Sequence, residues 1–106
     1  MYCYIWSFRV RPENVPAFRN AYGPDGGWVR FFRRDPEYRG TQLLCDREDP
    51  NRFITIDFWS SQQAWSSFRE RFAKQFESLD TQFEAITVEE IHIGSFELAK
   101  SDTTVF

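Results

Sequence analysis

Phe53-Ile-Thr-Ile-Asp-Phe-Trp59, running directly into Ser60-Ser-Gln-Gln-Ala-Trp65, sets the architecture of this 106-residue chain. Residues 53–59 alternate with the two-residue period of a strand. Phe53, Thr55, Asp57 and Trp59 fall on one face, and Ile54, Ile56 and Phe58 on the other. At Ser60 the period lengthens. Trp65, Phe68, Phe72, Phe76, Leu79, Phe83 and Ile86 recur at steps of three and four, forming one apolar stripe of helical pitch. Ser60 or Ser61 supplies a hydroxyl N-cap for the first free amides of that helix. A strand occupied on both faces, feeding a helix that must lie back on it, predicts an α+β sandwich. The stripe leaves open whether the helix is one piece or breaks around Ala73-Lys74-Gln75.

Working outward, Gly40 opens a strand over Thr41 to Asp46, and Arg47-Glu-Asp-Pro-Asn51 is a polar turn back into Phe53. The two strands should pair antiparallel. Tyr2 to Val10 alternates in the same way, with Tyr4, Trp6, Phe8 and Val10 opposed to Cys3, Ile5, Ser7 and Arg9. Pro12 then opens a helix carrying Val15, Phe18, Ala21 and Tyr22 as its stripe. Gly23-Pro-Asp-Gly-Gly27 breaks it, and Trp28 to Arg34 forms a short helical segment stopped by Asp35-Pro36. The last strand, Thr87 to Phe96, sets Val88, Glu90, His92 and Gly94 against Glu89, Ile91 and Ile93. One domain spans residues 1–98, and residues 99–106 form an aperiodic tail expected to be poorly ordered. The order strand, helix, strand, strand, helix, strand predicts a ferredoxin-like βαββαβ domain, a four-stranded antiparallel sheet with helices on one face. The other face carries Ile5, Ile54, Ile56, Phe58, Ile91 and Ile93, too apolar for water. A symmetric homodimer through that face is expected.

Composition narrows the function classes. A net charge of −3 and a pI near 5.1 argue against a nucleic-acid partner bound by bulk electrostatics. Arg30, Arg33, Arg34 and Arg39 read as a solvated helix face. Aromatic residues make up 19% of the chain, enough to fill a core and also line a cavity. Cys3 and Cys45 make no disulfide framework. A single histidine with scattered acids gives no metal-ligand spacing. The absence of an apolar run of membrane-spanning length and of a secretory segment predicts no membrane association and a cytoplasmic protein. The glycine-rich stretch lacks the lysine and hydroxyl of a phosphate loop.

Tyr22-Gly-Pro-Asp-Gly-Gly-Trp28, Phe32-Arg-Arg34, Gly40-Thr-Gln-Leu-Leu44 with Asp46, and Thr55-Ile-Asp-Phe-Trp59-Ser-Ser61 resemble the antibiotic biosynthesis monooxygenase (ABM) family of dimeric α+β barrels, over roughly residues 2 to 96. The resemblance implies a cavity between sheet and helices, with the Gly23–Gly40 insertion at its mouth. It also implies oxidation of a small aromatic or quinol-like substrate by O2 with no cofactor. Relatives that degrade haem hold iron by a histidine on the second helix. The matching position here is at or near Phe68, while Trp59 matches the tryptophan they keep beside that ligand. The same fold also hosts non-catalytic modules that bind a small hydrophobic ligand or serve a structural or regulatory role.

Asp57 is the first catalytic candidate. It shares the helix-side face with Trp59, where a carboxylate needs a partner such as Arg33 or Arg34. Read structurally, that pair would fix the insertion to the sheet; read catalytically, Asp57 and Arg33 belong to the site. His92 is the second candidate base, and a partly exposed strand histidine in the structural reading. Tyr4, Trp6, Tyr22, Trp28, Trp59, Trp65 and Phe68 are the candidate substrate-binding residues, each also a candidate core residue.

Overall fold

The computed structural model describes residues 1–99; the predicted tail lies, from residue 100 onward, outside them. Strand β1 is Tyr2–Val10, followed by a 3-10 turn at Pro12–Asn14 and helix α1, Val15–Tyr22. Helix α2, Gly27–Phe32, precedes strands β2, Tyr38–Cys45, and β3, Arg52–Trp59. Helices α3, Gln62–Arg71, and α4, Ala73–Phe83, lead through a second 3-10 turn into strand β4, Thr87–Glu97. All pairings are antiparallel, in the order β2-β3-β1-β4. The predicted ferredoxin-like α+β architecture is the observed one.

The alternation in β3 carries straight through to packing. Phe53, Thr55, Asp57 and Trp59 are buried beneath the helices, while Ile54, Ile56 and Phe58 are half-buried on the bare face. Ser61, not Ser60, caps α3: its hydroxyl accepts from the Ala64 amide at 3.1 Å. The long helix breaks at Phe72, whose φ of −115° and ψ of 32° end one helix and start the next. That is one residue before the stretch where the stripe left the matter open. The stripe survives the break because Phe68, Phe72 and Phe76 all reach the core cluster.

Two irregularities decide which side chains face the helices. Register shifts between Tyr38 and Gly40 on β2, where Gly40 has φ of +122°, a backbone region that suits glycine. The hairpin register carries Thr41 directly opposite Asp57, and the shift beyond Gly40 brings Tyr38 onto the same face as Thr41. On β4 the shift falls at Ile93, since Trp6 pairs with His92 and Ile5 with Gly94. Beyond this bulge the parity inverts. Gly94, expected beside His92, moves to the bare face, and Ser95 turns toward the helices as the partner of Tyr4.

Candidate functional site

One row of cross-strand neighbours builds the floor of a cavity: Thr41 on β2, Asp57 on β3, Tyr4 on β1 and Ser95 on β4. The next row places Thr55 beside Trp6 and Trp6 beside His92. Over this floor lie Tyr22 of α1, Trp28 and Phe32 of α2, Trp65 of α3 and Phe76 of α4, enclosing about 660 Å³. A volume of that size accommodates a small polycyclic ligand. Trp28 is held by rings at 5.1 Å (Phe76), 5.7 Å (Phe32) and 6.3 Å (Tyr22), so the insertion forms one wall. Arg69, Asp80, Glu84, Glu90 and His92 are exposed around the opening.

Asp57 is the buried ionisable group in the floor. Burial pushes its pKa up from 3.8 to about 7, against the opposing pull of the Thr41 and Tyr4 hydroxyls. Thr41 Oγ1 donates to Asp57 Oδ1. The Tyr4 hydroxyl is fully enclosed without a hydrogen-bond partner among the described residues, as are Trp28 Nε1 and Trp59 Nε1. Burial raises the Tyr4 phenol well above its usual range, and the charge of Asp57 adds to the effect. Tyr4 therefore presents a neutral hydroxyl.

The expected arginine partner for Asp57 is not there. Arg33 turns outward, donating to the Pro24 carbonyl at 3.3 Å and lying 3.9 Å from Asp25. Arg34 packs over the Phe31 and Phe72 rings. The insertion is instead tied down by Asp35, 7% exposed, which pairs with Arg71 of α3 at 2.5 Å and accepts from the Glu37 amide at 2.8 Å. This pair shares neither partner with the expected one and ties the insertion to α3 rather than to the sheet; a post-helical Asp-Pro step carries no strand parity to mark Asp35 as buried.

Of the other candidates, Tyr4, Trp6, Tyr22, Trp28, Trp65 and His92 line the cavity. His92 is exposed on the edge strand, its ring 5.0 Å from that of Trp6. Trp59 and Phe68 do not line it: both are fully buried behind the wall, 5.1 Å apart, where Phe32 and Trp65 enclose them. At the position matched to a haem ligand, Phe68 offers no donor atom. Among the described residues no three His, Cys, Asp or Glu side chains come together to hold a metal, and no helix is long and apolar enough to cross a membrane.

Sequence reasoning missed Thr41 and Ser95. Counting register back from the Arg47–Asn51 turn would have found Thr41, because Cys45 opposite Phe53 fixes Thr41 opposite Asp57. Ser95 had no such signal, because the bulge at Ile93 is not written in the alternation.

The sequence profile of the family described as antibiotic biosynthesis monooxygenase matches residues 1–75. No curated protein sequence matches the chain. Among solved structures, the fold is similar to SnoaB of Streptomyces nogalater, a cofactor-independent oxygenase. The TM-score is 0.70 at 20% identity, covering 97% of each chain. A Deinococcus radiodurans protein named for the same family superposes with a TM-score of 0.77 at 10% identity over 100% of both chains. A Nitrosomonas europaea protein, also named for it, gives 0.71 at 16% identity over 94% of this chain and 100% of that one. At such identities the likeness is one of fold.

Proposed function

Since the chain belongs to the antibiotic biosynthesis monooxygenase family, we propose that it binds a small phenol or quinol-like aromatic in the sheet–helix cavity and oxidises it with O2, with Asp57 as the base. The observation that carries this reading is a buried carboxyl in the floor of an aromatic cavity, where desolvation pushes its pKa up to about 7. A base is most effective when its pKa lies near the working pH. Asp57 takes the hydroxyl proton of the substrate, and the phenolate gives one electron to O2. The resulting pair combines at the para carbon, Asp57 returns its proton to the peroxide, and loss of water leaves the quinone. One oxygen atom ends in the product and one in water, so the step needs no further reductant and no cofactor. Tyr4, Trp6, Tyr22, Trp28 and Trp65 hold the ring and exclude bulk water. His92 stands at the opening, and Arg33, turned outward, has no part in the step.

The test is oxygen uptake with 1-naphthol, whose para C–H allows oxidation to the quinone. Uptake should require substrate and no additive, and Asp57→Asn should lower it about 100-fold or more. Quenching of tryptophan fluorescence by 1-naphthol without any uptake would favour the second reading, a non-catalytic binder of small hydrophobic ligands. The unpartnered Tyr4 hydroxyl and Trp28 Nε1 support a ligand under either reading.

The bare sheet face supports a homodimer. Leu44, Ile91, Ile93 and Phe96 are 46%, 49%, 48% and 47% exposed, continuous with half-buried Ile5, Ile54, Ile56 and Phe58. Sedimentation should give twice the 12.7 kDa chain mass. Ile56→Asp, placing a charge in mid-face, should weaken association at least about tenfold by burying an unpaired carboxylate. A wild-type monomer would sink the dimer.

A further inference from the structure

We propose that Tyr38 is a positioning residue for the Asp57 carboxyl, acting through Thr41 along a chain of hydroxyls that leads out of the cavity. Asp57 and Thr41 line the cavity. Tyr38 does not: it is half-buried on the edge strand β2, its ring packed against Phe32 at 5.6 Å and Trp59 at 5.4 Å. The Tyr38 and Thr41 hydroxyls are 2.5 Å apart, and Thr41 Oγ1 in turn donates to Asp57 Oδ1. The bulge between Tyr38 and Gly40 makes this possible, since without it Tyr38 and Thr41 would face opposite sides of the sheet.

The proton count fixes the direction of the chain. A threonine hydroxyl carries one proton, so while Thr41 donates to an ionised Asp57 its oxygen can only accept, and Tyr38 is the donor. Burial raises the Tyr38 phenol above its ordinary range, keeping that donor neutral and protonated. Tyr38 therefore withholds from Thr41 its other local acceptor and polarises the hydroxyl toward the carboxylate. Oδ1 is thus engaged from the edge-strand side, with the Tyr4 hydroxyl beside the carboxyl on the β1 side. When Asp57 holds a proton the same chain can reverse: Asp57 donates to Thr41, Thr41 to Tyr38 and Tyr38 to solvent. Each hydroxyl then keeps one proton and one leaves the protein. This inference rests on the reading of Asp57 as the base.

The ligand-free protein tests it by carboxyl carbon NMR on aspartate-labelled chain, with Asp57→Asn to assign the signal. Tyr4 of β1 borders Asp57, and Arg69, Asp80, Glu84, Glu90 and His92 ring the cavity opening; all stay unchanged in every variant. Thr41→Val should raise the Asp57 midpoint by about one pH unit, the loss of one hydrogen bond to a charged acceptor. Tyr38→Phe, which keeps the ring packing and never touches Asp57, should raise it by a smaller amount. The Thr41→Val, Tyr38→Phe double variant should match Thr41→Val alone. An unmoved midpoint in Tyr38→Phe, or a double variant equal to the sum of the singles, would overturn the chain while leaving Asp57 as base intact. A wild-type midpoint near 4 would overturn both.

Discussion

Asp57→Asn is expected to stabilise the protein at pH 8 by about 4 kcal/mol while leaving it nearly unchanged at pH 4. Burial raises the carboxyl from 3.8 to about 7 in the folded chain. Below 3.8, folded and unfolded states both hold the proton, and the group favours neither. Between 3.8 and about 7 the unfolded chain releases the proton and the folded chain keeps it, so stability falls as pH rises. Above 7 both are ionised, and the folded state bears the whole cost of a desolvated charge, at 1.36 kcal/mol per pH unit of the interval. Asparagine has the shape of the protonated acid and can still accept from Thr41, but it never ionises. Urea unfolding of both proteins at pH 4, 6 and 8 should show the two midpoints diverging as pH increases. Parallel pH profiles would mean that Asp57 is not held near neutrality. The sign also separates the two readings of this residue: a structural ion pair would make Asp57→Asn destabilising at pH 8.

That divergence shows where sequence stops informing structure. The parity of Phe53 to Trp59 is strictly periodic, and it places Asp57 on the helix side correctly because a strand has only two faces. Likewise Trp65, Phe68, Phe72 and Phe76 are legible as one packed stripe, since helical pitch survives a one-residue break. The break itself, at Phe72, is not, because the apolar stripe keeps its pitch across it. Partners across strands are harder. The demand that a buried charge be matched points to an arginine for Asp57. The fold answers that demand differently, leaving the carboxyl proton-binding and giving Arg71 to Asp35. The bulge at Ile93 then exchanges faces for the residues beyond it and turns Ser95 into the cavity, while the one between Tyr38 and Gly40 brings Tyr38 onto the face of Thr41. A bulge is a one-residue offset between two strands, and no single strand's pattern records it. The choice of wall residues fails in the same way. Both Trp59 and Trp65 are aromatic and inward, but only depth in the packed layer separates the one that touches the cavity from the one behind it.

Depth also sets the second large effect. Trp59→Ala should cost about 3–5 kcal/mol and lower Tm by more than about 10 °C. Trp59 is 0% exposed and is gripped by Trp65, Tyr38, Phe32 and Phe68 at 5.1 to 5.6 Å between ring centroids. Its Nε1 has no partner among the described residues, so truncation breaks no hydrogen bond and the loss is one of packing. The four rings around it are themselves pinned to β2, α2 and α3, which limits collapse into the void, and a void that cannot close sits at the costly end of such substitutions. Trp28→Ala provides the internal comparison. Trp28 is nearly as buried, at 8% exposed, but one side already borders the cavity. Its removal mostly enlarges existing space, and it should cost measurably less stability than Trp59→Ala while weakening 1-naphthol binding more. Urea melts and fluorescence titrations on the two variants read both quantities. A Trp59→Ala protein as stable as Trp28→Ala, but worse at binding, would put Trp59 in the site and the cavity wall one layer deeper than the structure has it.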